Sequence, residues 1–272
     1  MIKGYFGLTE APFTKYVPAA NLFHSQAWQE LSARLDHIVK NRALGVITGE
    51  VGAGKSTAVR ALSSRLDPIR YPFIYIADSG LGPRGFYREV LSQFGVTPAF
   101  YQRDARRQFD RVLMDAYENQ GKQPVLIIDQ AHLLSASMLA EVRFLTNFQF
   151  DSLSPFALIL VGQPELRATL RLRAFEPVRQ RISVRYHLGG LEEQETRAYI
   201  EHVLTVEGDP AGHQQPLHRL PPGCHGPGRT DRRRGQRTAG ATGLRAVVEG
   251  FSQVAIEGSA EGPSSLRPTG GT

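Results

Sequence analysis

At 272 residues the chain has room for one α/β domain of about 200 residues with a small appendage; two full domains would be tight. A single cysteine, Cys224, excludes an internal disulfide framework, and the longest apolar stretches, 125–128 and 156–161, are far too short to span a bilayer, so a cytoplasmic protein without membrane insertion is expected. The net charge of +6 hints at an acidic partner, but residues 1–209 hold 24 Lys and Arg against 22 Asp and Glu while residues 210–272 hold 8 against 4, so any case for nucleic acid rests on local patches.

Residues 1–41 read as an arm and a helix. Phe6-Gly7-Leu8 and Pro12-Phe13 mix aromatics with breakers and predict a non-helical arm, while Ser25 is an N-cap for a helix through Asn41 with Trp28, Leu31, Leu35, Ile38 and Val39 on one face. Residues 43–48 form a short apolar strand. It runs into Gly49-Glu50-Val51-Gly52-Ala53-Gly54-Lys55-Ser56-Thr57, which fits the phosphate-loop pattern at every fixed position and is followed by helical spacing at Val59, Leu62 and Leu66. Glycines there let successive backbone N–H groups turn inward around phosphate oxygens, and the following helix points its positive end at the same anion. Lys55 is expected to reach the β- and γ-phosphates of ATP, and Ser56 to offer its hydroxyl to Mg²⁺.

A second strand is expected over 72–77, a helix over 84–94 and a longer helix over 101–119. The long helix turns Phe109, Val112, Leu113, Ala116 and Tyr117 inward and sets Arg103, Arg106, Arg107 and Arg111 along one stripe. That stripe is either a contact for DNA phosphates or a solvated face partly neutralised by Asp104, Asp110 and Asp115. Residues 123–129 form a third, fully buried strand that ends in Asp129, where a carboxylate can hold Mg²⁺ from the side opposite Ser56. A helix over 133–147, a strand over 154–161, a helix over 165–175, a strand over 182–187 and a helix over 191–206 complete the alternation. Strands alternating with helices in this order predict an α/β fold: a five-stranded parallel sheet sandwiched by helices, of the P-loop type.

With both phosphate motifs in place, the chain resembles the AAA+ ATPases related to the general secretion pathway A (ExeA) protein and the accessory ATPases of bacterial transposons. The residues that carry the resemblance are Phe6-Gly7-Leu8 with Pro12-Phe13, Leu22-Phe23-His24-Ser25, the loop 49–57, residues 126–134, the run from Leu160 through Gly162-Gln163-Pro164 to Leu166, Gln180-Arg181-Ile182 and the stretch 191–200. The resemblance implies a core over 42–189, the start of a helical lid over 190–208, and homo-oligomeric assembly. It assigns Gln163 as the polar sensor of the γ-phosphate and Arg181 as the finger received by a neighbouring subunit. Arg179 is the rival finger, and a turn residue is the plainer reading of Gln163.

Two departures qualify it. Gln130 stands where the family usually has Glu, and an amide can orient a water but not take its proton, so slow hydrolysis is expected. His132, close by, reads as a packing or capping residue. Residues 209–272 then carry 12 Gly and 7 Pro between 210 and 272, with one aromatic, Phe251, and cannot build the family's helical lid. Arg outnumbers Lys 27 to 5, which fits a GC-rich coding sequence read out of frame beyond Asp209; a basic disordered tail that binds DNA is the alternative. The resemblance thus implies an ATPase that assembles on double-stranded DNA and engages a transposase. A module for secretion or envelope assembly is the alternative, and a degenerate nucleotide-binding product a third.

Overall fold

The computed structural model describes residues 17–18, 21–78, 80–146, 148 and 153–208; the arm expected around Phe6 to Phe13 and the tail 209–272 lie outside them. Five runs rich in Val, Ile and Leu become β1 (Leu44–Gly49), β2 (Phe73–Ile76), β3 (Val125–Ile128), β4 (Ala157–Gly162) and β5 (Ile182–Leu188). All pair in parallel, in the order β2-β3-β4-β1-β5. The strands β1, β3 and β4 are buried along their whole length because helices cover both faces, which is why they read as unbroken apolar runs.

The helices of the core are α1 (Gln26–Lys40), α2 (Lys55–Arg65), α3 (Pro83–Gln93), α4 (Gln102–Glu118), α5 (Ala136–Leu145), α6 (Pro164–Arg171) and the single turn α7 (Glu176–Arg179). Strand alternation divides the interior into two cores. Leu126 and Ile128 of β3 face Phe86, Tyr87, Phe109, Leu113 and Met138 of α3, α4 and α5. Val125 and Ile127 face the other way, in the core that holds Leu31, Leu35 and Ile38 of α1 and Val59 and Leu62 of α2. The expected helix start is observed in detail: the Ser25 hydroxyl caps α1 by accepting from the Trp28 backbone N–H at 3.1 Å. The Trp28 ring, expected on the buried face, is half-buried and stacks on His24 with centroids 4.2 Å apart.

Three elements differ from the sequence reading by three residues or more at a boundary. Instead of one helix over 133–147, Ala131–Leu133 forms a 3₁₀ turn, Leu134 is extended at φ −59° and ψ 136°, and α5 starts only after Ser135. The Ser135 hydroxyl accepts from Met138 N–H at 3.2 Å, and this cap starts α5. The helix expected over 165–175 ends at Arg171 and resumes, after a 3₁₀ turn over Arg173–Phe175, as α7, whose first turn holds Pro177 where a missing N–H leaves no bond unmade. Strand β4 begins at Ala157 rather than 154; Pro155 has no N–H to give, and the first ladder bond runs from Ala157 N–H to Pro124 O at 2.9 Å.

Residues His24–Gly190 form one compact unit, which includes α1. Among the described residues, those before and after it belong to a second unit, in which α8 (Glu193–Gly208) holds the entering chain. There the Phe23 ring lies 5.8 Å from Tyr199 and 5.7 Å from His202, and His202 Nε2 sits 2.9 Å from Asn21 O.

Candidate nucleotide site

Strand β1 ends at Gly49, beside Leu188 of β5. A Cβ on Gly49 would lie 2.5 Å from Leu188 O, a backbone atom that cannot swing aside. Gly49→Ala is therefore expected to destabilise the fold by about 1–3 kcal/mol, read as a lower denaturant midpoint at unchanged slope. Beyond it the loop turns through Gly52 at φ 82° and Gly54 at φ 95°, backbone conformations in which an L side chain is strained. Gly54 opens α2 without a side-chain cap, so the first N–H groups of that helix are left for a ligand. Lys55 Nζ donates to Gly49 O and Glu50 O, both at 2.7 Å, and so lies back across its own loop. Burial lowers its pKa from the ordinary lysine value, while the Asp129 and Glu50 carboxylates pull it back up.

Asp129 follows β3 on the face of Val125 and Ile127, the face on which α2 packs. It is buried, and Ser56 Oγ of α2 donates to its Oδ2 at 3.3 Å. Because β4 lies between β1 and β3, this contact links the helix after β1 to the residue after β3 across the crevice at the carboxyl ends of two strands that are not neighbours. Sequence reading missed a third member of the site: the Tyr75 hydroxyl of β2 donates to the same Oδ2. Its phenol is held well above the usual range by burial first, then by the hydrogen bond to Asp129 and that carboxylate's charge.

Gln130 is exposed and adopts the left-handed region at φ 52° and ψ 33°, with its backbone N–H donated to Asp129 Oδ1 at 2.8 Å. Gln163 follows β4, and its backbone N–H points to His132 Nδ1 at 3.4 Å, so His132 joins the loops after β3 and β4. Arg181 is half-buried between α7 and β5, while the exposed Arg179 is held in an ion pair by Glu176.

The four arginines of α4 do not form one stripe. Arg106 turns away to Glu141 of α5 at 3.6 Å and over the Phe144 ring at 4.7 Å. Glu141 is buried and also accepts from the Tyr87 hydroxyl at 2.6 Å. Arg103, Arg107 and Arg111 remain exposed, the first two within 4 Å of Asp104. Ahead of them Phe100 and Tyr101 are exposed, and the Arg84 guanidinium stacks 4.4 Å over Phe100.

Left-handed glycines, a helix N-terminus, a lysine and a hydroxyl–carboxylate pair are the donor set for a nucleoside triphosphate with Mg²⁺. Among the described residues no cluster of three or more His, Cys, Asp or Glu would hold a metal unaided, and Mg²⁺ bound jointly with phosphates and water asks for no such cluster. The sheet order and this site define a P-loop domain of the AAA+ class. Residues 37–170 match the family model described as an AAA domain.

Over 213 residues the chain is 32% identical to general secretion pathway protein A of Aeromonas hydrophila, a match that covers 76% of this chain and 38% of that protein. The chain thus spans well under half the length of this relative. Among solved structures, the ORC1 protein of Aeropyrum pernix in complex with DNA is 13% identical with a TM-score of 0.55, covering 73% of this chain and 53% of that one. CDC6P from Pyrobaculum aerophilum is 15% identical with a TM-score of 0.53, covering 71% and 52%. At those identities the likeness is one of fold. No helix among the described residues is long and apolar enough to cross a membrane.

Proposed function

We propose that this chain is a cytoplasmic, nucleotide-switched ATPase that binds Mg-ATP at the β1–α2 loop, hydrolyses it slowly, and in its ATP form assembles with copies of itself on double-stranded DNA to engage a transposase. The observation that carries the nucleotide part is the approach of Ser56 to Asp129 across the crevice, 3.3 Å between a group on α2 and one just past β3. In this reading the loop 49–57 cradles the phosphates and Lys55 neutralises the β- and γ-oxygens. Ser56 and Asp129 would hold Mg²⁺, which would stabilise charge on the same phosphates. Gln163 senses the γ-phosphate from the end of β4. Arg181 is given to the nucleotide of a neighbouring subunit, which ties hydrolysis to assembly. Gln130 orients the attacking water without deprotonating it.

The DNA part is supported by the exposed Arg103, Arg107 and Arg111 on α4, with Arg106 excluded because Glu141 engages it. The test is binding of labelled duplex with ATP, ADP or no nucleotide, with phosphate release followed in the same samples. ATP-dependent binding is expected. Arg107→Glu is expected to lower the slope of log affinity against log salt by about 1 without changing the affinity for ATP. Duplex binding indifferent to nucleotide and to Arg107 would overturn this reading.

A second reading is favoured by the Aeromonas relative: an ATPase module for secretion or envelope assembly, whose partner is protein. It predicts ATP-dependent self-association with no response to DNA.

A further inference from the structure

Asp129 has two carboxylate oxygens with different partners. Oδ1 accepts from the Gln130 backbone N–H, which comes with the turn of the chain itself. Oδ2 faces the phosphate loop, where it accepts from Ser56 and from Tyr75. In the sheet Tyr75 stands opposite Ile127 and Ile76 opposite Ile128, and the Asp129 N–H continues the ladder to Ile76 O at 3.0 Å. This register places Tyr75 one diagonal step from Asp129 on the same sheet face, within reach of a long side chain. The Tyr75 ring is 40% exposed at the sheet edge, so burial of the ring alone does not explain its position, and phenylalanine would pack there equally well. The hydroxyl is the part of the side chain that meets the site.

We propose that Tyr75 is a positioning residue for the metal: its hydroxyl fixes the Asp129 carboxylate in the orientation in which that group holds Mg²⁺ opposite Ser56. The inference rests on the reading of Ser56 and Asp129 as the Mg²⁺ side of the site. A carboxylate with one oxygen tied at the backbone still rotates its other oxygen away from the loop, and a donor from the next strand removes that freedom before the cation arrives. Removing such an outlying partner of a ligand weakens metal affinity by about 10-fold at the low end of the usual range.

The experiment measures the affinity for a fluorescent ATP analogue as a function of Mg²⁺, and again in EDTA, for the wild-type chain, Tyr75→Phe and Asp129→Asn. The expected result for Tyr75→Phe is an Mg²⁺ requirement shifted upward about 10-fold, with unchanged affinity in EDTA and unchanged melting temperature. An Mg²⁺ requirement that stays the same or falls in Tyr75→Phe, while Asp129→Asn shifts it upward, would overturn the role of Tyr75 alone. Wild-type binding that is indifferent to Mg²⁺, or unaffected by Asp129→Asn, would overturn the metal reading and this inference with it. A merely structural role for the phenol would lower the melting temperature and the affinity in EDTA together.

Discussion

Exchanging Gln130 for glutamate is expected to raise the rate of ATP hydrolysis by about 10²- to 10⁴-fold, the span that a positioned general base usually supplies. The exchange is nearly isosteric. Gln130 already occupies the left-handed backbone region, with its N–H committed to Asp129 Oδ1, and glutamate takes that conformation at the same small cost. The new carboxylate would stand beside Asp129, whose negative charge raises its proton affinity and so moves it towards the range useful for a base. Phosphate release in a single turnover, with ATP affinity measured alongside, checks the result. A rate unchanged by Gln130→Glu would mean that the water is activated elsewhere or that assembly, not proton transfer, limits turnover. A rate increase with unchanged ATP affinity would mean that the natural chain keeps its ATP state long-lived through this one side chain. An ATP-held assembly requires such a state.

The sheet was legible because a parallel sheet covered on both faces demands strands that are apolar throughout, and Leu126 to Ile128 and Leu158 to Val161 meet that demand without interruption. The turn at residues 49–57 was legible because its signals are local: Gly52 and Gly54 take the left-handed backbone and Lys55 opens the next helix. What stayed hidden depends on register or on packing between distant elements. The apolar pattern runs straight through Leu133 and Leu134, so the break before α5 depended on Ser135 acting as a cap, and serine does so only when the backbone turns there. Arg106 looked like its neighbours on α4. Its partner lies on α5, and the one available signal was Glu141 itself, an acid amid Met138, Leu139, Val142 and Leu145 that cannot be buried without a donor. Tyr75 could not be linked to Asp129 until the β2–β3 register was known, since a shift by one residue would turn it to the opposite face.

Lys55→Ala is expected to weaken ATP binding by about 10²- to 10³-fold, as removal of one partner from a closely held charge pair generally does, and to leave the fold intact. The two expectations separate cleanly because of how the lysine is held. Its ammonium rests on Gly49 O and Glu50 O, at the mouth of the site where Glu50 is exposed. Water can replace the ammonium at the exposed Glu50 carbonyl and, in the room that the shortened side chain leaves, at the carbonyl of the buried Gly49, so the melting temperature is expected to stay close to that of the parent chain. The same contacts pre-position the charge: the side chain has only to swing from two carbonyls to two phosphates, without first losing much freedom. The loss is expected to be larger for ATP than for ADP, because Lys55 is placed to neutralise oxygens of the γ-phosphate as well as of the β-phosphate. Lys55→Arg is not a rescue, since a planar guanidinium is too broad for a loop closed by Gly52 and Gly54 and carries its donors in a fixed fork. Titration of ATP and ADP against the three chains, with melting curves, tests all of this together. Equal affinity of Lys55→Ala and the parent chain would overturn the placement of the phosphates on this loop. With it would fall the roles given to Ser56, Asp129 and Tyr75, whose geometry around the crevice has meaning for catalysis only if the triphosphate lies between them and Lys55.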